Sequence, residues 1–386
     1  MLHLIVIIYL SFISLGLPDG LLGAAWPTMY PELAVPVSCA GIVSMIIALG
    51  TIISSLLSDR LTYALGTGKV TAISVGMTAA ALLGFSLSDS FWLLCLWAIP
   101  YGLGAGGVDS SLNNYVALHY SSRHMSWLHC MWGVGATVGP YIMGSILTGG
   151  GHWSLGYRSV ALLQIALTAV LVLTLRKWQH RPGSKTGGDA AKPLPLFQVI
   201  RIRGAKEVMI TFFCYCALEQ TTMLWASSYL FLHKGMDEET AAFFASLFFI
   251  GITAGRGLNG FLTMRFTDTQ LIRMGQGIIA LGISAMLLPA GDWASLLGLI
   301  FIGLGCAPIY PCIIHSTPGH FGPERSQALI GVQMASAYVG TCLAPPLFGI
   351  LANHITVALM PGYLLAILVL MMVMHEKLVR KVEVHT

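Results

Sequence analysis

Four ionisable side chains lie deep inside apolar runs of this sequence. They are Asp19 in Gly16-Leu-Pro-Asp-Gly20, Asp109 in Gly-Gly-Val-Asp-Ser-Ser-Leu-Asn-Asn, Glu219 with Gln220 beside it, and Arg256 in Gly255-Arg-Gly257. A charge in hydrocarbon is costly, so each is a functional candidate by default. Pro18 lacks an amide proton and its flanking glycines loosen the turn, so a bend at Asp19 can free backbone groups for a ligand. Trp26 lies seven residues on, on the same helical face. Asn113 follows Asp109 by one helical turn, with Asn114 adjacent. No Lys or Arg lies deep in the first six apolar runs, so Asp19 and Asp109 must be hydrated, bonded to each other or protonated. Burial favours the neutral carboxyl, and an acid that is neutral in one state and charged in another is what proton coupling requires. Asp109 is expected to be the main proton carrier, with Asp19 binding substrate and sharing the proton.

The second half of the sequence reads differently. Glu219 and Arg256 are the opposite charges at depth there, so an ion pair between neighbouring helices competes with direct substrate contact. His129, three residues before Trp132, suits either a hydrogen-bonded packing role or ligand contact. Trp132, Trp225 and Tyr310 are ordinary core or lipid-facing aromatics, or stacking surfaces for a sugar ring. Asn259 and Gln333 complete the expected substrate-contact set. The chain has no HExxH, no GxSxG and no His/Cys cluster with ligand spacing, which disfavours an enzyme, a bound metal or a cofactor. None of its eight cysteines forms a CxxC pair, so they read as small apolar fillers.

The elements that must position these residues follow from composition. Of 386 residues, 56% are hydrophobic and 9% charged, with a mean hydropathy of +0.77. A soluble domain carries about 25% charged residues, so most of this chain faces a medium that does not solvate ions. A bilayer core needs about 20 apolar residues per helix. The apolar runs predict spans at 4–29, 37–57, 70–88, 91–118, 126–148 and 157–176, then at 207–232, 239–263, 269–289, 294–316, 326–351 and 356–375. The start of the chain has no basic region and no cleavage site, and reads as the first span. Of the 20 Lys and Arg, Arg158 and Lys234 fall in odd-numbered connections and Arg256 inside a span; the rest lie in even-numbered connections and the C-terminal tail. The positive-inside rule then places both termini in the cytoplasm.

The longest connection contains Gly183, Gly187, Gly188, Pro193 and Pro195, and divides the spans six and six. It sets the expected domains: a bundle over 1–180, a cytoplasmic linker over 181–205 and a bundle over 206–386. The halves match each other in order. Gly50 corresponds to Gly251, Gly102-Leu-Gly-Ala to Gly303-Leu-Gly-Cys, and the Gly135–Gly144 segment to Gly340–Gly349. All three recur at a spacing of roughly 200 residues, as expected for a duplicated six-helix unit. Asp19 and Glu219 are separated by the same interval. The expected fold class is thus an all-α membrane protein of twelve spans in two pseudo-symmetric six-helix bundles.

At these residues the chain resembles the fucose–proton symporter family of the major facilitator superfamily. That family's sugar permeases carry one acid in the first span and one in the fourth, matched here by Asp19 in Leu-Pro-Asp-Gly and by Asp109. The string Leu128-His-Cys-Met-Trp-Gly-Val-Gly-Ala-Thr-Val-Gly-Pro140 is also similar. So are Glu219 with Trp225 and Tyr229, Ala307-Pro-Ile-Tyr-Pro311 and Ala344-Pro-Pro-Leu-Phe-Gly349. The fucose permeases use the longer glutamate where this chain has Asp109, so its acid reaches less far and the sugar can differ. The superfamily's loop between spans two and three is only loosely present, as Ser58-Asp59-Arg60 followed by Gly68-Lys69, and Asp59 and Arg60 are taken as a cytoplasmic gate contact.

The resemblance implies proton-coupled symport of a monosaccharide or a sugar-like neutral solute by alternating access, in the cell inner or plasma membrane. Hydroxyl-rich ligands need paired donors and acceptors once desolvated, and acids, amides and indoles supply them. The alternative is a proton-coupled drug antiporter, suggested by Gly135-x3-Gly139-Pro140. A carboxylate with nearby amide oxygens also suits sodium, so the coupling ion stays open. The unit is expected to act as a monomer in the lipid bilayer, with no nucleic-acid partner.

Overall fold

The computed structural model describes residues 2–36, 39–178, 194–236, 238–288 and 291–383, and among them every regular element is helical. The first predicted span is two helices, α1 (Leu2–Gly16) and α2 (Leu21–Glu32), separated by a break at the Pro18 turn. The next five are α3 (Cys39–Leu65), α4 (Thr67–Ser86), α5 (Phe91–His119), α6 (Ser122–Thr148) and α7 (Trp153–Leu173). Two short helices follow, α8 (Leu175–Trp178) and α9 (Leu196–Arg201). The last six spans are α10 (Ala205–Leu232), α11 (Glu238–Leu262), α12 (Asp268–Leu287), α13 (Asp292–Phe321), α14 (Pro323–His354) and α15 (Met360–Glu383), the last preceded by a 3-10 turn at Val357–Leu359.

Ten helices among the described residues are long and apolar enough to cross a membrane. Two further predicted spans complete the set. One is α10, with Glu219 and Gln220, and the other is α11, whose apolar stretch is Leu247–Leu262. Residues 181–193 of the expected linker, 181–205, lie outside the described residues. Two span ends lie eight residues beyond expectation: the last span runs on to Glu383, and the second to Leu65. The second continues because no residue breaks the helix until Gly66, where φ is +78°. Asp59 and Arg60 therefore sit on α3 and not in a loop.

The chain divides into two compact units. Unit 1 comprises Met1–Tyr115 and Leu128–Leu194; unit 2 comprises Val116–Trp127 and Pro195–Thr386. Within unit 1, α3 and α5 meet backbone to backbone. A Cβ on Gly102 would strike the Ile47 carbonyl, and one on Gly106 the Thr51 carbonyl. Thr51 Oγ1 and Ser54 Oγ donate across the seam to Gly102 O (3.2 Å) and Leu103 O (2.6 Å). The α1 and α6 backbones approach as closely: a Cβ on Gly135 would meet Ile13 O, and one on Gly139 would meet Leu17 O. Such contacts are what small residues provide in a membrane, where packing replaces the hydrophobic drive.

Unit 2 repeats the scheme. A Cβ on Gly303 of α13 would strike Phe248 O of α11, with Gly251 Cα 3.2 Å away, and a Cβ on Gly340 of α14 would lie 2.5 Å from Phe213 O of α10. The helix α12 opens with a capping box between Thr267 and Gln270.

Candidate functional site

Unit 1 builds one polar cluster on α1, α5 and α6. Asp19 lies in the break, where its N–H returns to Gly16 O at 3.1 Å. The residue is exposed, and its carboxylate accepts from Trp132 Nε1 (2.8 Å) on Oδ2 and, at a longer 3.4 Å, from the Tyr101 hydroxyl on Oδ1. Asp109 is buried, at 4% exposure. Asn113 Nδ2 donates to its Oδ1 (2.7 Å) and to its backbone oxygen (2.9 Å). Asn113 Oδ1 in turn lies 3.0 Å from His129 Nε2, and Phe12 packs edge-on against that imidazole. One chain of contacts thus joins Asp109, Asn113 and His129, and a second joins Trp132, Asp19 and Tyr101. The two carboxyl groups are near enough to feel each other's charge. Asn114 is buried alongside. Trp26 belongs to a hydrophobic cluster with Leu17, Phe85, Tyr101, Trp153 and Tyr157.

Unit 2 builds its cluster on α10, α11 and α13, and it contains a base. Arg256 Nη2 lies 3.2 Å from Glu219 Oε1, with both residues buried, and 3.5 Å from the Tyr215 hydroxyl. The same hydroxyl bonds Glu219. Tyr310 packs edge-on against Phe212 and Tyr215, with ring centroids 4.6 and 5.9 Å apart, and its hydroxyl contacts Met334 Sδ at 3.1 Å. The other expected residues are spread out. Asn259 donates to Ser126 Oγ at 2.7 Å, and Gln333 exchanges hydrogen bonds with Thr317. Trp225 Nε1 donates to Pro345 O at 3.0 Å. Gln220 is half-buried, one residue past Glu219. On α3, Arg60 is exposed and Asp59 accepts a hydrogen bond from the Leu194 main chain.

Sequence reasoning overlooked three features. Tyr101 precedes Asp109 by about two helical turns and Tyr215 precedes Glu219 by about one; helical spacing from each acid would have found both. The third is an Asp268-centred cluster in unit 2: Ser122 Oγ donates to its Oδ1 at 2.5 Å, and His315 Nδ1 lies 2.6 Å from its Oδ2. His315 Nε2 also reaches Tyr120 O at 3.3 Å. Asp268 starts α12, where a helix N-terminus favours a carboxylate.

A helical membrane protein with paired glycine seams and buried carboxylates has the build of a secondary transporter. The sequence profile of the Major Facilitator Superfamily matches residues 8–245 and 208–383, so the chain belongs to that superfamily, whose members are transporters and not enzymes. It is 26% identical over 287 residues to Bypass of stop codon protein 6 of Saccharomyces cerevisiae, covering 68% of this chain and 57% of that one. It is 21% identical over 301 residues to the glucose/mannose transporter of Bacillus subtilis, covering 76% and 74%. A crystal structure of the E. coli fucose:proton symporter superposes with a TM-score of 0.73 at 16% identity, over 96% of this chain and 98% of that one.

Proposed function

We propose that this chain is a symporter that couples the entry of a monosaccharide or sugar-like neutral solute to protons, by alternating access. The observation that carries the reading is the pair of acids in unit 1. Asp19 is exposed and held by an indole and a phenol, while Asp109 is buried and bonded to a carboxamide. Neutral donors leave each carboxyl able to take up and release a proton, which a guanidinium partner would oppose. Asp109, the less exposed of the two residues, is the proton carrier; Asp19 accepts from substrate hydroxyls and shares the proton. The Trp132 indole next to Asp19 offers a flat apolar face for a sugar ring and an acid beside it. The glucose/mannose and fucose:proton relatives support the substrate class.

The same reading makes 1–180 and 206–386 the two moving bundles, with 181–205 as their linker and Asp59 and Arg60 on the gating side. Both termini are cytoplasmic in the inner or plasma membrane, and the unit works as a monomer. Inward proton movement then gains about 2.3 kcal/mol per charge for each 100 mV of membrane potential. Gly135 and Gly139, the residues that suggested drug antiport, pack against the α1 backbone, a role independent of export.

The test is uptake into proteoliposomes. A neutral sugar should accumulate in response to an imposed pH gradient with sodium absent. Accumulation that follows sodium and ignores pH, or stimulation by hydrophobic cations in place of sugars, would overturn the proposal.

A further inference from the structure

Pro18 removes one hydrogen bond from the first span. In an unbroken helix the Ser14 carbonyl accepts from the amide of residue 18, and proline has no amide proton. Leu17 N–H still reaches Ile13 O at 3.0 Å, whereas Asp19 N–H turns back to Gly16 O. The Ser14 carbonyl is stranded at the point where the chain changes course towards Asp19. A buried carbonyl without a partner is costly.

Its partner comes from another helix. Gln164 Nε2, on α7, donates to Ser14 O at 2.8 Å, and Gln164 is only 1% exposed. The far oxygen of that carboxamide, Gln164 Oε1, has no protein partner, and neither has Ser14 Oγ. Both residues wall a cavity of about 10 Å³ that Ser11, Pro18, Thr78 and Tyr101 also line. The Ser11 and Thr78 hydroxyls already donate, to Ile7 O and Val75 O, so they too turn lone pairs outward. A space of this size holds about one water, and its ring of acceptors suits a molecule that donates twice. A cation there would go uncompensated, because no carboxylate lines the cavity.

We infer that Gln164, with one water beside it, replaces the hydrogen bond that Pro18 cannot make and so holds the break that presents Asp19. Gln164 is a positioning residue acting through the Ser14 carbonyl. Its consequence for uptake rests on the transport reading above; the hydrogen-bond replacement does not.

A double-mutant cycle separates this role from plain packing. Pro18→Ala returns an amide proton to position 18, which can then bond Ser14 O within the helix. The readout is hydrogen–deuterium exchange of the 13–24 segment in the purified full-length chain. Gln164→Leu, and Gln164→Met should the first variant fold poorly, are expected to raise exchange there about tenfold. In the Pro18→Ala background the same changes should alter it less than about twofold, since the donor is no longer needed. Equal effects in both backgrounds, or none in the native one, would overturn the inference. The water is tested by radiolytic hydroxyl labelling. Tyr101 should be labelled several-fold faster than the buried Tyr215, and Gln164→Leu should remove the difference. Labelling of Tyr101 no faster than Tyr215, or protection of the segment by sodium over choline, would rule the water out. For a transported sugar, Gln164→Leu should raise KM about fivefold with kcat largely kept, and Pro18→Ala should suppress that effect. Failure to find any transported sugar would count against the transport reading and leave the exchange result standing.

Discussion

Asp19 and Glu219 occupy corresponding places in the two halves of the sequence, yet their surroundings differ in kind. Glu219 is buried and faces a guanidinium at 3.2 Å. Asp19 is exposed and takes its hydrogen bonds from neutral indole and phenol groups. Protonating Glu219 would strand Arg256 in a buried site, which is a large penalty. Protonating Asp19 strands no charge. On the proposed mechanism the acid of unit 2 would keep a fixed ion pair, and the acids of unit 1 would carry a charge that comes and goes. The two positions stand 200 residues apart in the sequence, and what separates them is the chemistry of their partners.

The largest expected effect breaks the unit 1 side of this contrast. Asp109→Asn should abolish uphill uptake while leaving sugar exchange across the membrane largely intact, because the amide mimics the neutral carboxyl and cannot release a proton. Counterflow and pH-driven uptake, measured on the same proteoliposomes, check it. Accumulation that persists in response to a pH gradient would end the assignment of Asp109 as carrier.

The next effect is on stability and belongs to unit 2. Glu219→Leu leaves Arg256 buried without its carboxylate and should cost about 3–5 kcal/mol, seen as a marked fall in the thermal midpoint of detergent-purified protein. Replacing both partners, as Glu219→Met with Arg256→Met, should recover most of that loss, since paired removal of a buried ion pair is often neutral. The same pair of measurements on Asp19→Asn should show little change in midpoint. If Asp19→Asn destabilises as much as Glu219→Leu, the two acids do not differ in this way.

Much of the fold was legible because the apolar runs and the repeated glycines carry it. Gly50 with Gly102, and Gly251 with Gly303, were matched between halves by sequence alone, and each pair meets within its own unit. The four ionisable residues at depth were also visible, since composition makes a charge conspicuous. Their partners were not. Whether Tyr101 reaches Asp19, or Gln164 reaches Ser14, depends on the rotation of one helix about its axis relative to another. Hydropathy averages that rotation away. The end of α3 was misjudged for a related reason: polar residues such as Ser58 and Asp59 end a hydrophobic run without ending a helix, which continues until Gly66 changes the backbone sign.

A smaller effect sharpens the view of Asp19. Trp132→Phe keeps an aromatic ring and removes the 2.8 Å hydrogen bond to its carboxylate. A hydrogen bond to a charged group contributes about 1.5–3 kcal/mol when buried; Asp19 is exposed, so the lower end applies, or roughly a tenfold loss of sugar affinity. Trp132→Ala should lose considerably more if the indole face also carries the sugar ring. Isothermal titration of the two variants against one sugar separates the hydrogen bond from the stacking. Equal affinities for the two would mean that the ring makes no contact with the ligand.

The smallest effect compares the two tyrosines. Tyr101 and Tyr215 each stand at long range from a charged group, the first 3.4 Å from Asp19 Oδ1 and the second 3.5 Å from Arg256 Nη2. Hydroxyl hydrogen bonds are commonly near 2.7–2.8 Å, so both contacts are weak as single bonds. Their contexts differ. Tyr215 also bonds Glu219, so its loss leaves a buried ion pair short of a donor, whereas Asp19 keeps Trp132 and access to solvent when Tyr101 is changed. Tyr215→Phe should therefore lower stability by about 1–2 kcal/mol, and Tyr101→Phe by less than about 0.5 kcal/mol, with sugar affinity falling no more than about threefold. Thermal midpoints of the two variants, measured side by side, decide it. A larger loss from Tyr101→Phe would mean that the phenol is a main support of Asp19 and that the neutral-donor site is as rigid as the ion pair.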